Sequence, residues 1–274
     1  DEKSTKEIDF IFLGSSTVES ENVLENKRYP YLSIKKLNQH LDTNFVSRNA
    51  GVGGNLLSAS NLILTTKIVN LQPEYVILSS SLIDMLYLSR NESYWTGSKK
   101  YISNINPSST LLKSIKETFF PHIWLQVRKF IISNGQSDFQ NNEFSPNDKN
   151  RILGHYEHQL EIFINSCLIY NIKPILTTDY FVTNTVKKNL VKKGIFNSKE
   201  VNFYLNTLIP ELNHLIVSKA NEYDIPVIEF KKLVDENSGF VNDKDGVHLT
   251  NSGSEKISEA ISNYLAREIF NEEI

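Results

Sequence analysis

The chain has 274 residues, 40% of them hydrophobic and 22% charged, with a net charge of -3 at pH 7. That is ordinary globular composition, enough to bury a full core as one large domain or two small ones. Acidic and basic residues are mixed along the chain without a basic block, which argues against a nucleic-acid partner. Cys167 is the only cysteine, so an intrachain disulfide and a cysteine-based zinc site are both excluded. No apolar run approaches the roughly 20 residues of a membrane-spanning helix. The opening residues Asp1 to Glu7 are polar and lack a Met, which reads as a processed N-terminus. An extracytoplasmic setting (secreted, periplasmic or membrane-anchored) is expected ahead of a cytoplasmic one.

The first strand spans Asp9–Leu13. Its apolar run ends in Gly14, and Ser15 and Ser16 follow at once. A polar segment leads to Tyr29–Leu41, where Tyr31, Leu32, Ile34, Leu37 and Leu41 recur at helical spacing. Asn44–Ser47 reads as a short second strand. It ends in Arg48-Asn49-Ala50-Gly51-Val52-Gly53-Gly54-Asn55, a glycine-rich loop that must turn sharply or approach something closely. The loop does not match the dinucleotide fingerprint G-x-G-x-x-G. A helix follows with Leu56, Leu57, Leu62, Leu64, Ile68 and Leu71 on its apolar face, and Pro73-Glu74 breaks it. Tyr75–Leu78 is a continuous apolar run, as expected of a strand buried on both faces, and it ends in Ser79-Ser80-Ser81-Leu82-Ile83-Asp84. Three strands in succession therefore end in small-residue loops. Strands alternating with helices imply right-handed crossovers and a parallel sheet, which places all three loops on one edge.

Residues Tyr87 to Asn150 break the rhythm. They hold a polar stretch with Tyr94 and Trp95, an apolar helix candidate over Leu111–Ile132 rich in aromatics including Trp124, and a polar run from Ser133. This segment reads either as an insertion, at about 87–150, that covers part of the site, or as additional core helices. The alternation returns with a helix over Tyr156–Tyr170, a strand over Lys173–Thr177, a long helix over Glu200–Tyr223 and a last strand over Ile225–Phe230. Asp245-Gly246-Val247-His248-Leu249-Thr250 follows, and an amphipathic helix over Ser252–Ile269 closes the chain. A single domain over 1–274 is expected.

A serine hydroxyl is a poor nucleophile at neutral pH and needs a base within hydrogen-bond reach, which in turn needs an orienting partner. Ser16 sits at the carboxyl end of a strand, where open α/β sheets hold their ligands. Asp245 and His248 supply a base with its orienter, because Asp-x-x-His on a turn before a helix lets the carboxylate fold back onto Nδ1. The Ser16 backbone N–H and Gly51 are candidate donors for an oxyanion. Each piece alone has a plainer explanation, such as a turn without chemistry or a helix-start turn with an incidental histidine.

Taken together, Gly14-Ser15-Ser16, Asn49-Ala50-Gly51-Val52-Gly53 and Asp245-x-x-His248-Leu249-Thr250 with Gly253 resemble the conserved blocks of the SGNH (GDSL-like) hydrolase superfamily. The resemblance implies a three-layer α/β/α, flavodoxin-like fold with a central parallel sheet, carrying a helical insertion in this chain. It implies Ser16, Asp245 and His248 as the catalytic set, with Ser16 and Gly51 in the oxyanion hole and no cofactor. Two positions depart from the family pattern. Ser15 stands where the family usually has Asp. Ser81-Leu82-Ile83-Asp84 replaces Gly-x-Asn-Asp, so Ile83 occupies the place of a third oxyanion donor. Either another side chain substitutes (Asn55 or one of Ser79, Ser80 and Ser81) or the hole has two donors.

The implied activity is a serine esterase acting on small acyl esters, with an O-acetylated carbohydrate as the expected substrate. Tyr94, Trp95 and Trp124 are candidate sugar-stacking residues, and Asn55 and Ser81 are candidate substrate contacts. One alternative is an O-acyltransferase that uses the same residues on a polysaccharide acceptor, with a membrane protein as acyl-donating partner. Another is a weakened member that only binds glycan. His155 and His158 are spaced to share one helix face, but no neighbouring Asp, Glu or Cys pattern completes a metal site, so no metal is expected. Glu74 and Asp84 are expected as cap or salt-bridge groups.

Overall fold

The computed structural model describes residues 8–79, 82–89, 91–95, 146–179, 183–192, 197–230, 240–242 and 246–272. Five parallel strands form one sheet: β1 (Phe10–Gly14), β2 (Ser47–Gly51), β3 (Tyr75–Ser79), β4 (Lys173–Thr177) and β5 (Val227–Ile228). Their spatial order is β2-β1-β3-β4-β5, the flavodoxin-like order. The chain leaves β1 toward one edge and then crosses back to β3. The β1/β3 boundary is therefore the switch point, where the carboxyl ends of the strands leave a crevice.

The alternation within the strands builds the layers. Phe10 and Phe12 of β1 point into one core with Tyr75, Ile77, Ile175 and Ile228. Helix α2 (Tyr29–Leu41) and the last helix close that core through Ile34, Leu37, Ile257 and Ile261. Ile11 and Leu13 point the other way, with Val76, Leu78 and Leu176, into a second core closed by Leu57, Phe163 and Leu212. Side chains of successive strand residues face opposite sides, so a strand covered on both faces must be apolar throughout. β1 and β3 are buried at every position. Each fully buried Phe or Leu contributes about 1.5–3 kcal/mol relative to exposure.

Edge position explains where the sequence reading missed. β2 lies at the sheet edge and has the composition Ser-Arg-Asn-Ala-Gly, exposed or half-buried throughout. It covers Ser47–Gly51, not Asn44–Ser47, so the first half of the expected glycine loop is strand. β5 shrinks to two residues at the opposite edge. The helix after the glycine loop is α3 (Leu57–Ile63), and it widens into a π turn over Leu64–Ile68. Its expected apolar face is incomplete, since Leu62 and Leu71 are exposed.

Beyond β3, α4 (Leu82–Leu88) is a short helix and α5 (Pro146–Ile169) a long one. The break in the alternation is therefore narrower than expected, and Tyr87 is a core residue. Arg151 ties the two sides together. Its guanidinium donates to the carbonyls of Leu88, Asn91 and Glu92 at 2.8–3.0 Å. The Leu111–Ile132 helix candidate and Trp124 lie outside the described residues. A further helix, α6 (Thr183–Lys192), was not expected; it is mostly polar and, among the described residues, contributes Val186 and Leu190 to the core. The expected helix over Glu200–Tyr223 is α7 (Ser198–Phe203) and α8 (Ile209–Glu222), joined by a π turn. Asn197 and Glu200 form a reciprocal capping box at its start. The closing helix is α9 (Asn251–Tyr264), continued by a π turn over Leu265–Ile269.

Candidate active site

β1 delivers Ser16. Gly14 ends the strand against β3, where a Cβ would overlap the Ser79 carbonyl oxygen, so only glycine lets the two strands close here. Ser15 is the N-cap of a single-turn helix, α1 (Ser16–Glu19), and its hydroxyl makes no cap hydrogen bond. It lies 3.4 Å from the Thr17 hydroxyl and is buried, whereas Ser16 is half-exposed. Of the two serines, Ser16 is the one displayed.

The other end of the chain supplies a histidine. Ser16 Oγ and His248 Nε2 are 2.9 Å apart across 232 residues of sequence. For Nε2 to accept the hydroxyl proton, the ring proton must sit on Nδ1, the tautomer that an orienting carboxylate would hold. Asp245 lies outside the described residues. The segment around His248 is fixed from several sides. Val241 pairs with Leu249 as an antiparallel bridge, and the Asn242 N–H donates to the His248 carbonyl at 2.7 Å. Thr250 caps α9 by accepting the Gly253 N–H at 3.0 Å. A Cβ on Gly253 would overlap the Phe240 carbonyl oxygen, and that oxygen accepts the Thr250 N–H. Asn22 Nδ2 donates to the Leu249 carbonyl at 2.7 Å, joining the histidine segment to the chain just after α1.

The amides around Ser16 are arranged differently from expectation. The Ser16 N–H is the first of α1 and has no acceptor among the described residues. The Gly51 N–H, however, donates to Asn49 Oδ1 at 2.9 Å and is not open to a ligand. The same Asn49 donates to the Val18 carbonyl at 2.9 Å, so this side chain clamps the glycine segment to α1. A Cβ at Gly51 would overlap the Glu19 N–H, so the role of this glycine is close packing. The open amides come next along the chain. The Asn55 N–H returns to the Val52 carbonyl at 3.0 Å, making a turn with Gly53 and Gly54 at its centre and Gly54 at φ +75°. Neither central N–H has an acceptor among the described residues. Gly53 faces Ser16: a Cβ there would lie 4.0 Å from Ser16 Cβ.

Several expected contacts are engaged elsewhere. Asn55 is buried and donates to Ser60 Oγ at 2.7 Å, so it holds the turn to α3. Ser79 is buried and hydrogen-bonds the Tyr29 phenol, whose pKa burial drives upward. Tyr94 is buried too, and its hydroxyl donates to Asp84 Oδ1 at 2.8 Å. It is a core residue, not a sugar platform. Burial and the adjacent Asp84 carboxylate raise its phenol well above the usual value. Trp95 is exposed. Ser80, Ser81 and Trp124 lie outside the described residues.

Asp84 is a capping group, as the sequence suggested. It is fully buried and also accepts the Leu57 N–H at 2.8 Å. It therefore caps α3 directly behind the Gly53–Gly54 turn and ties it to the start of α4. Glu74 pairs with Lys173 at 2.9 Å, far from the crevice. Among the described residues no group of three or more His, Cys, Asp or Glu is placed to hold a metal ion. No described helix is long and apolar enough to cross a membrane.

Comparison with known proteins adds the family. The family described as GDSL-like lipase/acylhydrolase matches residues 11–261. No curated protein matches the chain by sequence. Among solved structures, a GDSL-like lipase from Bacteroides thetaiotaomicron superposes with a TM-score of 0.52 at 14% identity, covering 98% of this chain and 92% of that one. A variant of a Geobacillus acetyl-xylooligosaccharide esterase gives 0.54 at 12% identity, covering 97% and 96%. An alpha/beta hydrolase enzyme from the Lake Arreo metagenome gives 0.51 at 13%, covering 96% and 95%. At these identities the likeness is one of fold.

Proposed function

The chain belongs to the GDSL-like lipase/acylhydrolase family and is a carboxylic ester hydrolase, and from that premise we propose that Ser16, His248 and Asp245 hydrolyse O-acetyl esters carried by a carbohydrate. Ser16 Oγ attacks the ester carbonyl while His248 Nε2 takes its proton. Asp245 orients the imidazole through Nδ1 and balances the charge it gains. The tetrahedral oxyanion is held by the Ser16 N–H and the open amides of the Gly53–Gly54 turn, each donor contributing about 2.7–4 kcal/mol to the transition state. The C–O bond to the sugar then breaks, and His248 returns the proton to the departing alcohol. Water, deprotonated by the same imidazole, attacks the acyl-serine. Acetic acid leaves and Ser16 recovers its proton.

The observation that carries this reading is the 2.9 Å contact between Ser16 Oγ and His248 Nε2. It joins a strand-end serine to a histidine near the other end of the chain, at the topological switch point. The acetylated-sugar assignment is supported by the fold likeness to an acetyl-xylooligosaccharide esterase. The test is hydrolysis of p-nitrophenyl acetate by the wild type and Ser16→Ala, with circular dichroism as the folding control. Ser16→Ala is expected to reduce turnover at least ~10³-fold. Full activity in that folded variant would overturn the assignment.

A further inference from the structure

Along the exposed edge of β2 the surface opens into a groove of about 930 Å³. This is the upper end of the range, about 300–1,000 Å³, of small-molecule sites. One wall is Leu24 to Arg28 with Tyr31 behind it, and the other is the outer side of β2. Glu19 and Gly51 close the end nearest the nucleophile. A Cβ on Gly53 would lie 2.9 Å from Glu19 Oε2 and 4.0 Å from Ser16 Cβ, so the Glu19 carboxylate and Ser16 flank the same point. The first wall is also fastened to the histidine segment. Asn22 donates to the Leu249 carbonyl at 2.7 Å, and Ser254 Oγ donates to the Lys27 carbonyl at 2.6 Å. An alcohol released at His248 therefore departs beside this wall.

The lining says what the groove fits. Glu19, Glu25, Arg28 and Arg48 bring two charges of each sign, yet among the described residues none of them is ion-paired. Arg28 makes one hydrogen bond, Nε to the Val23 carbonyl at 3.2 Å. Tyr31 is 48% exposed and lines the groove. A long acyl chain would desolvate these charges without replacing their hydrogen bonds. A polyanion would meet two carboxylates. A neutral polyhydroxylated chain donates to the carboxylates, accepts from the guanidiniums and lays an apolar sugar face on the tyrosine ring.

We propose that this groove is the subsite for the alcohol portion of the substrate, and that this portion is a neutral saccharide chain bound through Tyr31, Arg48 and Glu25. The place of the groove in the reaction rests on the esterase reading above; its affinity for saccharide does not. The test titrates Ser16→Ala protein calorimetrically with O-acetylated xylohexaose, cellohexaose and chitohexaose, then repeats it in Ser16→Ala with Tyr31→Ala and Arg48→Ala added. Both added positions are exposed, and a thermal melt checks folding. Binding of at least one oligosaccharide, weakened at least 10-fold in the triple variant, is expected. Binding of none, or equal binding by both proteins, would overturn the proposal. A kinetic arm compares kcat/KM for the bound oligosaccharide ester with that for p-nitrophenyl acetate, with Ser16 intact. The Tyr31→Ala/Arg48→Ala pair is expected to lower that ratio at least 10-fold. An unchanged ratio with both esters hydrolysed would refute the groove and leave the esterase standing. Hydrolysis of neither ester, with the calorimetric loss present, would refute the esterase and leave a saccharide site.

Discussion

Replacing Asp84 tests how the site is braced. The side chain is fully buried and accepts two hydrogen bonds at 2.8 Å, from the Leu57 N–H and the Tyr94 hydroxyl. Asp84→Ala strands both donors in places water does not reach. A buried donor left unpaired costs about 1–3 kcal/mol, so the two together cost about 2–6 kcal/mol. At about 2–4 °C per kcal/mol for a chain of this size, the melting temperature should fall by roughly 4–24 °C. Asp84→Asn keeps the volume and one acceptor oxygen, so it should lose less than half as much. Urea unfolding followed by tryptophan fluorescence measures all three proteins. Asp84 also caps the helix directly behind the Gly53–Gly54 turn, so Asp84→Ala should lower kcat on p-nitrophenyl acetate well below that of Asp84→Asn. An Asp84→Ala protein within 1 kcal/mol of wild type would refute the reasoning, since unpaired buried donors cost about that much or more.

Three further outcomes follow from packing and burial. Gly253→Ala drives a methyl group into the Phe240 carbonyl that Thr250 bonds, so it should cost about 1–3 kcal/mol by overpacking. It should also lower kcat by displacing His248; a melt and an initial-rate assay on the same protein check both. Burial raises the phenols of Tyr29, Tyr94, Tyr156 and Tyr204, so each keeps its proton in the folded state to higher pH than in the unfolded state. Their contribution is therefore fully present below about pH 10 and is lost as pH rises above it, by about 1.4 kcal/mol per pH unit for each tyrosine that ionises only on unfolding. Urea midpoints at pH 9, 10, 11 and 12 should fall accordingly, and a flat series would contradict the burial argument. Cys167 is fully buried and its thiol is pushed up to about 12 by burial. Ellman's reagent at pH 8 should therefore react with it only after urea is added, and fast reaction of the native protein would contradict this.

The central strands were legible because burial on both faces leaves a one-letter trace. Tyr75–Leu78 and Phe10–Leu13 are apolar without interruption, and the structure covers both sides of each. β2 left no such trace, because an edge strand is covered incompletely and Ser-Arg-Asn-Ala-Gly can be read as loop. Ser16 and His248 could be read as a pair from a strand-end turn and an Asp-x-x-His segment, and they stand 2.9 Å apart. The engagement of the Gly51 amide could not be read from sequence, because it turns on one local competition: Asn49 takes that amide two residues on. Tyr94 shows the same limit for aromatics. An aromatic side chain suits a sugar platform as well as a core, and only the structure, with Tyr94 stacked on Tyr87 and bonded to Asp84, places it in the core. The β2-edge groove was invisible for a related reason, since its walls come from segments some 20 residues apart that look like ordinary polar surface.

The most direct measurement of the central claim is active-serine labelling with a fluorophosphonate, with the modified peptide identified by mass spectrometry in the wild type and in His248→Ala. The account predicts one label per chain, on Ser16, and labelling slowed at least ~10³-fold when the imidazole is removed. Label on another residue, or equal labelling of the two proteins, would contradict it.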